Sequence, residues 1–261
     1  MRVLDLFSGI GGFSLGLERA GMRTVAFCET DEYCRAVLRK HWPAVPCFGD
    51  IRALDAMGLG GIGRVDLVSG GYPCQPFSHA GDRRGSEDPR HLWPEMRRVV
   101  ALARPTWVVA ENVTGHISMG LDQVLADLEA DGYAGRALAI PACAVGAPHI
   151  RQRIWIVARN ANSNSEPTGT VDAEASWLPS AVGDADCEGL SIPRQKPNGT
   201  DGRQARGMSP AASWWATEPG VDRVAHGVSR RVDRLRCLGN AVVPQVVEEI
   251  GRAIMKVEHE Q

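Results

Sequence analysis

Lysine is almost missing from this sequence: of 29 basic residues only Lys40, Lys196 and Lys256 are lysine, and the rest are arginine. No apolar stretch reaches membrane-span length before an Arg, Pro or Gly interrupts it, so a soluble protein is expected. The seven cysteines are odd in number and contain no C-x-x-C, and Met1-Arg2 runs straight into the apolar Val3-Leu4 with no secretory signal. A reducing cytoplasm with free thiols is therefore expected, and no metal site. A basic excess is also lacking, because the net charge is −2 and the isoelectric point about 6.4. The charge is nevertheless unevenly placed: Arg223, Arg230, Arg231, Arg234 and Arg236 crowd one short stretch against Asp233 alone. Arginine's planar fork suits phosphates and guanine edges, although a solvated helical face or a GC-rich coding sequence produces the same enrichment.

What is present is 261 residues with 44% hydrophobic and 23% charged side chains, enough to bury the core of one large domain. From Arg2 to Ala158 short β-branched runs alternate with amphipathic stretches, the pattern of strands joined by helical crossovers. Strands are expected at residues 2–6, 24–28, 65–69, 106–110, 136–140 and 154–158, and helices at 12–20, 31–41, 92–103, 121–131 and 245–257. Between Asn160 and Arg206 the large apolar residues thin out to Val171, Trp177, Leu178, Val182, Cys187, Leu190 and Ile192. Such a stretch cannot carry its own core and reads as an insert.

The segment D-L-F-S-G-I-G-G-F at residues 5–13 is a strand entering a glycine turn and then a helix. After Gly9 and Gly11 the third position of a dinucleotide fingerprint is Ser14, so the pyrophosphate-binding version fails. Glu29 ends the second expected strand, where a carboxylate can accept from ribose hydroxyls, and Asp50-Ile51 follows a third apolar stretch. The three elements in order point to an adenosine ligand without a diphosphate, rather than to a plain structural turn. Downstream, Pro73 and Pro76 bracket Cys74 in a stiff loop after an apolar strand, whereas Cys28, Cys34, Cys47, Cys143, Cys187 and Cys237 read as small buried hydrophobes. Glu111 ends a buried strand near the same edge, where a carboxylate is costly unless paired or protonated.

With these stand Gly49-Asp50-Ile51, G-Y-P-C-Q-P-F-S at 71–78, Glu111-Asn112-Val113, Arg151-x-Arg153 and L-G-N-A-V-V-P-Q at 238–245. In this order the chain resembles a cytosine-5 DNA methyltransferase, over its first 158 residues and its last 30 or so. One departure is His149, where the family has glutamine. The resemblance implies an α/β fold with a Rossmann-like, mostly parallel sheet of the S-adenosylmethionine-dependent type. It divides the chain into a catalytic domain at 1–160, a small target-recognition domain at 161–229 and a returning segment at 230–261.

By that resemblance the cofactor is S-adenosylmethionine, leaving S-adenosylhomocysteine. Phe7, Gly9, Gly11, Gly12, Glu29, Asp50, Ile51, Pro73, Asn240 and Val242 would surround it. Cys74 would be the nucleophile, Glu111 its partner on the base, and Arg151 and Arg153 would steady both. Double-stranded DNA is the implied partner, touched by Ser78, Arg83, Arg84, Arg230 and Arg231, with Trp214, Trp215, Arg223 and His226 as further candidates. A cytoplasmic, nucleoid-associated monomer within a restriction-modification setting fits that picture, although no nuclease partner is readable. The same motifs on transfer RNA, or a silent DNA-binding module, are the alternatives; an intact Cys74, Glu111 and glycine turn disfavour the latter.

Overall fold

The computed structural model describes residues 1–73, 92–162 and 231–260. Seven strands, β1 (Arg2–Leu6), β2 (Arg23–Cys28), β3 (Cys47–Phe48), β4 (Leu67–Gly70), β5 (Trp107–Val113), β6 (Tyr133–Ile140) and β7 (Arg153–Asn160), form one sheet in the order β3-β2-β1-β4-β5-β7-β6. The first five strands in that order pair parallel, and β7 runs antiparallel to both β5 and β6. The expected mostly parallel α/β sheet is thus observed, with an antiparallel edge.

The helices are α1 (Gly12–Arg19), α2 (Glu32–His41), α3 (Ala56–Ile62), α4 (Trp93–Ala103), α5 (Leu121–Ala130), α6 (Arg231–Asn240) and α7 (Pro244–His259). Local chemistry starts and stops them. Asp31 caps α2 by accepting from the Cys34 N–H at 3.0 Å, and Arg39, Lys40 and His41 occupy its last turn. Pro244 opens α7, where a missing N–H costs nothing.

Both faces of the sheet are covered, and alternate residues of each strand serve opposite cores. Val108, Ala110, Ile154 and Ile156 pack with Trp93, Met96, Val100, Val124 and Leu128. Trp107, Val109, Trp155 and Val157 pack with Phe13, Leu17, Val246, Val247, Ile250 and Ile254. The C-terminal helix therefore returns to the sheet beside α1. Residues 163–230, the bulk of the expected recognition segment, lie outside the described residues. None of the described helices is long and apolar enough to cross a membrane. Cys28, Cys34, Cys47 and Cys237 are free thiols. Cys143 is disulfide-bonded, contrary to the expectation for all seven, because spacing alone does not say which sulfurs a fold brings together.

Candidate active site

Strand order reverses between β1 and β4, each of which leads to a helix on the opposite side, and ligands of open α/β sheets bind outside the carboxyl ends of such strands. After β1 the backbone enters the left-handed region at Phe7 (φ 51°), Gly9 (54°) and Gly11 (88°), and the Gly11 N–H donates to the Ser8 carbonyl at 2.8 Å. For a bulky aromatic such as Phe7 this conformation is strained, and the surroundings must hold it. Glu29 does part of that holding. One of its oxygens accepts from the Gly9 N–H and the other from the Asp31 N–H, both at 2.7 Å. Each oxygen keeps a further lone pair, so the carboxylate can still accept from a ligand hydroxyl.

Beyond β4, Tyr72 is buried with its hydroxyl 2.7 Å from His116 Nε2, and its carbonyl accepts from Asn112 Nδ2 at 3.2 Å. These bonds fasten the chain entering Pro73 to the end of β5. Glu111 sits there, 9% exposed, with Oε1 3.1 Å from Arg153 Nε. Burial pushes its carboxyl up to about 7, although Arg153 and Arg151 pull the other way. Arg151 has φ 31° and donates to the carbonyls of Gly239 and Ala241 at 2.9 and 2.7 Å, tying the start of β7 to the end of α6.

An open cavity of about 500 Å³ joins these ends. Phe7, Gly9, Glu29, Asp50 and Ile51 line it together with Pro73, Glu111, Arg151, Arg153 and Asn240. Three expected residues stay out of it. A Cβ on Gly11 would run into the Trp42 ring at 2.6 Å, and one on Gly12 would meet Val242 Cγ2 at 2.9 Å, so Gly12 and Val242 pack against each other. Cys74, Ser78, Arg83, Arg84 and Arg230 lie outside the described residues, as does the side chain of Arg231.

Two features of the region escape sequence reasoning. Asp5 is fully buried beneath the glycine turn, accepting from Ser14 Oγ at 2.8 Å and Ser69 Oγ at 3.1 Å, and burial pushes it up to about 7. Ser14, where a fingerprint glycine was wanted, was the available signal. Cys34 and Cys237, read as core residues, are buried but also line the cavity.

Residues 1–186 match the family model for C-5 cytosine-specific DNA methylase. Type II methyltransferase M.HgiCII of Herpetosiphon aurantiacus is 36% identical over 164 residues, covering 60% of this chain and 36% of that protein. Type II methyltransferase M.AquIA of a Picosynechococcus strain is 35% identical over 175 residues, covering 60% of this chain and 71% of that one. Among solved structures, a putative DNA modification methyltransferase encoded within an E. coli prophage is 28% identical with a TM-score of 0.54, covering 61% of this chain and 47% of that chain. Entamoeba histolytica methyltransferase EhMeth, at 16% identity, shares the fold over 98% of both chains with a TM-score of 0.64. The chain spans 36% and 42% of the length of the first two curated relatives it matches.

Proposed function

The chain belongs to the C-5 cytosine-specific DNA methylase family, and from that premise we propose that it methylates carbon 5 of a cytosine in double-stranded DNA, using S-adenosylmethionine, at a short specific sequence. The observation that carries the reading is the shared cleft. One cavity joins the acid-ended wall of Phe7, Glu29, Asp50 and Ile51 to the Glu111–Arg153 pair.

The first wall fits an adenosine with a short charged tail. Phe7 and Ile51 offer apolar surface, Glu29 and Asp50 offer acceptors, and among the described residues, its chain neighbours aside, none has a heavy atom within 4 Å of where a Gly9 Cβ would stand. Glu29 would take the ribose, Asp50 and Ile51 the adenine edge, with Gly9 and Asn240 near the amino-acid part. When bound, S-adenosylmethionine supplies an electrophilic methyl group.

Cytosine carbon 5 is too weak a nucleophile to take a methyl unaided, so the chain has to activate the ring. Cys74, as thiolate, adds to carbon 6 and makes the ring an enamine. Glu111 donates to ring nitrogen 3 through its protonated oxygen and accepts from the exocyclic amine through the other, which selects cytosine over thymine. A carboxyl that titrates near 7 can serve as that donor at neutral pH. Arg153 fixes its orientation, and Arg151 holds the α6 end against the cleft. Once carbon 5 carries the methyl, a base takes the carbon 5 proton, the freed electron pair re-forms the C5–C6 double bond, and the Cys74 sulfur leaves carbon 6 as thiolate.

A stacked base cannot reach such a cleft, so the cytosine is flipped out of the duplex. Ser78, Arg83 and Arg84 would close over the DNA, and Arg230 and Arg231 would contact phosphate from the edge of the 161–229 recognition segment. The test is incubation of the purified protein with methyl-labelled S-adenosylmethionine and plasmid DNA, followed by nucleoside analysis and bisulfite sequencing. Label in 5-methylcytosine is expected; label only in transfer RNA, or at another base position, would overturn the reading.

A further inference from the structure

Cys34, in the first turn of α2, and Cys237, near the end of α6, are far apart in sequence, and their sulfurs stand 2.9 Å apart. That is closer than two unbonded sulfur atoms normally approach, and less than 1 Å beyond the disulfide bond length of about 2.0 Å. Both side chains are buried at 5% exposure, yet both form part of the cavity wall. The surroundings hold the pair in register: Asp31 accepts from the Cys34 N–H and pairs with Arg236, the neighbour of Cys237.

Asp31, Cys34 and Cys237 place their ligand-type atoms within 4.8 Å of one another, which invites a comparison with a metal site. The sulfur separation argues against it. Two thiolates on one tetrahedral metal, with metal–sulfur bonds of about 2.3 Å, must stand well beyond the spacing seen here. Arg236 already neutralises Asp31, so a cation would have to displace a guanidinium from its carboxylate.

We propose that Cys34 and Cys237 are a redox-active dithiol pair that a peroxide-class oxidant closes into a disulfide, bolting α6 onto α2 at the wall of the cleft. The inference is independent of the methyl-transfer reading. In the first step one sulfur attacks a peroxide oxygen, the O–O bond breaks, and a sulfenic acid forms as water leaves. In the second, the other sulfur attacks the sulfenic sulfur, the S–S bond forms, and the hydroxyl departs as a second water. Two thiols lose two hydrogens in all, and one peroxide is reduced. Burial keeps the Cys34 thiol well above its ordinary titration range, so the closure is slow and calls for a small oxidant able to enter the cleft.

The consequence is mechanical. Gly239 and Asn240, at the end of α6, line the same cavity, and the Gly239 carbonyl accepts from Arg151. A covalent tie three residues before Asn240 would hold the end of α6 against α2 at the cleft. The oxidised protein should exchange a cleft ligand more slowly than the reduced one.

The experiment is titration of the full chain with hydrogen peroxide, quenching by alkylation, and peptide mapping without reductant. A crosslinked peptide joining Cys34 to Cys237, lighter by two hydrogens and reversed by dithiothreitol, is expected in the unmodified chain and absent from Cys34→Ser and Cys237→Ser. Recovery of both cysteines as separate sulfinic acids, or as two alkylated thiols after oxidation, overturns the proposal. The serine variants are isosteric enough to fold, and circular dichroism of each verifies that an absent crosslink is not an unfolded chain. Failure of S-adenosylhomocysteine to slow the crosslinking would count against the cofactor reading of the cleft and leave the dithiol standing.

Discussion

Arg153 Nε lies 3.1 Å from Glu111 Oε1 because β7 runs antiparallel to β5. In that register Val113 pairs with Arg153 and Glu111 with Trp155, so the first residue of β7 stands on the diagonal from the carboxylate. Had β7 continued the parallel pattern, its first residue would lie at the opposite edge of the sheet, and Glu111 would be buried without a cation. The ion pair and the burial act on Glu111 in opposite senses, and burial wins, which leaves a carboxyl poised near 7 rather than near 4.5.

Glu111→Gln should lower methyl transfer by about 10²–10⁴-fold, the range of a lost acid–base group. It should also change the pH profile. The protonated form of Glu111 declines as pH rises through about 7, so kcat/KM, which reports the free enzyme, should fall on that limb in the unmodified chain. A glutamine cannot titrate, and the limb should vanish. A variant that is slow but keeps the limb would show that another group titrates there.

Cys74→Ser should abolish transfer while DNA and cofactor still bind, since a hydroxyl is far less ionised than a thiol. Duplex DNA containing 5-fluorocytosine should trap a covalent adduct in the unmodified chain and none in the variant. An adduct surviving in Cys74→Ser would move the nucleophile elsewhere.

Much of this was legible in the sequence, and the exceptions have physical reasons. Arg2–Leu6 is the expected first strand residue for residue, because its apolar run ends in a glycine turn that no regular element crosses. α3 was not expected, since AMGLGGI carries three glycines, each unfavourable in a helix, and tertiary packing of Leu59 overrides them. α6 was hidden too, its arginines masking a helical period. β3, at two residues, is too short to show alternation. Strand direction at β7, which makes the Glu111–Arg153 pair, leaves no local signature. The Cys34–Cys237 contact joins residues that only the fold brings together.

Glu29→Ala should weaken S-adenosylhomocysteine binding by roughly 1–3 kcal/mol, the worth of a charged acceptor. The side chain also braces the Gly9 and Asp31 N–H groups, so a lower melting temperature should accompany the loss. Calorimetry and thermal denaturation measure the two effects. Unchanged affinity with a lowered melting temperature would reduce Glu29 to a brace.

Asp5 makes stability depend on pH in an uncommon sense for a carboxylate. Its folded value, about 7, lies above its ordinary 3.8. Its contribution is therefore fully present below the ordinary carboxylate range and is lost as pH rises through about 7. The unfolding free energy should fall by on the order of 2–4 kcal/mol between about pH 5 and 8 in the unmodified chain. Glu111 acts with the same sign, so urea unfolding is best compared in a Glu111→Gln background with and without Asp5→Asn. The asparagine variant should flatten the profile, and an equally steep slope would assign it to another group.

The last expectation concerns how the C-terminal helix is held. A Cβ on Gly16 would collide with the Pro244 carbonyl and stand 2.6 Å from Val247 Cβ, and one on Gly251 would stand 2.8 Å from Ala20 Cβ. α1 and α7 thus meet backbone to backbone, and none of these three atoms is the free end of a long side chain that could swing away. Gly16→Ala should cost about 1–3 kcal/mol through overpacking. Gly60→Ala, in α3 with no described residue within 4 Å of the added Cβ beyond its chain neighbours and its own helix backbone, should instead gain up to about 1 kcal/mol, since alanine is the better helix former. Urea unfolding separates two outcomes for Gly16→Ala. A lowered midpoint with the same slope means α7 has shifted but remains packed, whereas a smaller slope means it has left the sheet before the main transition. In the second case Gly239 and Asn240, just ahead of α7, should lose their place at the cleft, and S-adenosylhomocysteine affinity should fall with stability. Equal stability of the Gly16→Ala and unmodified chains would show that the helices can separate far enough to admit the new Cβ at no cost.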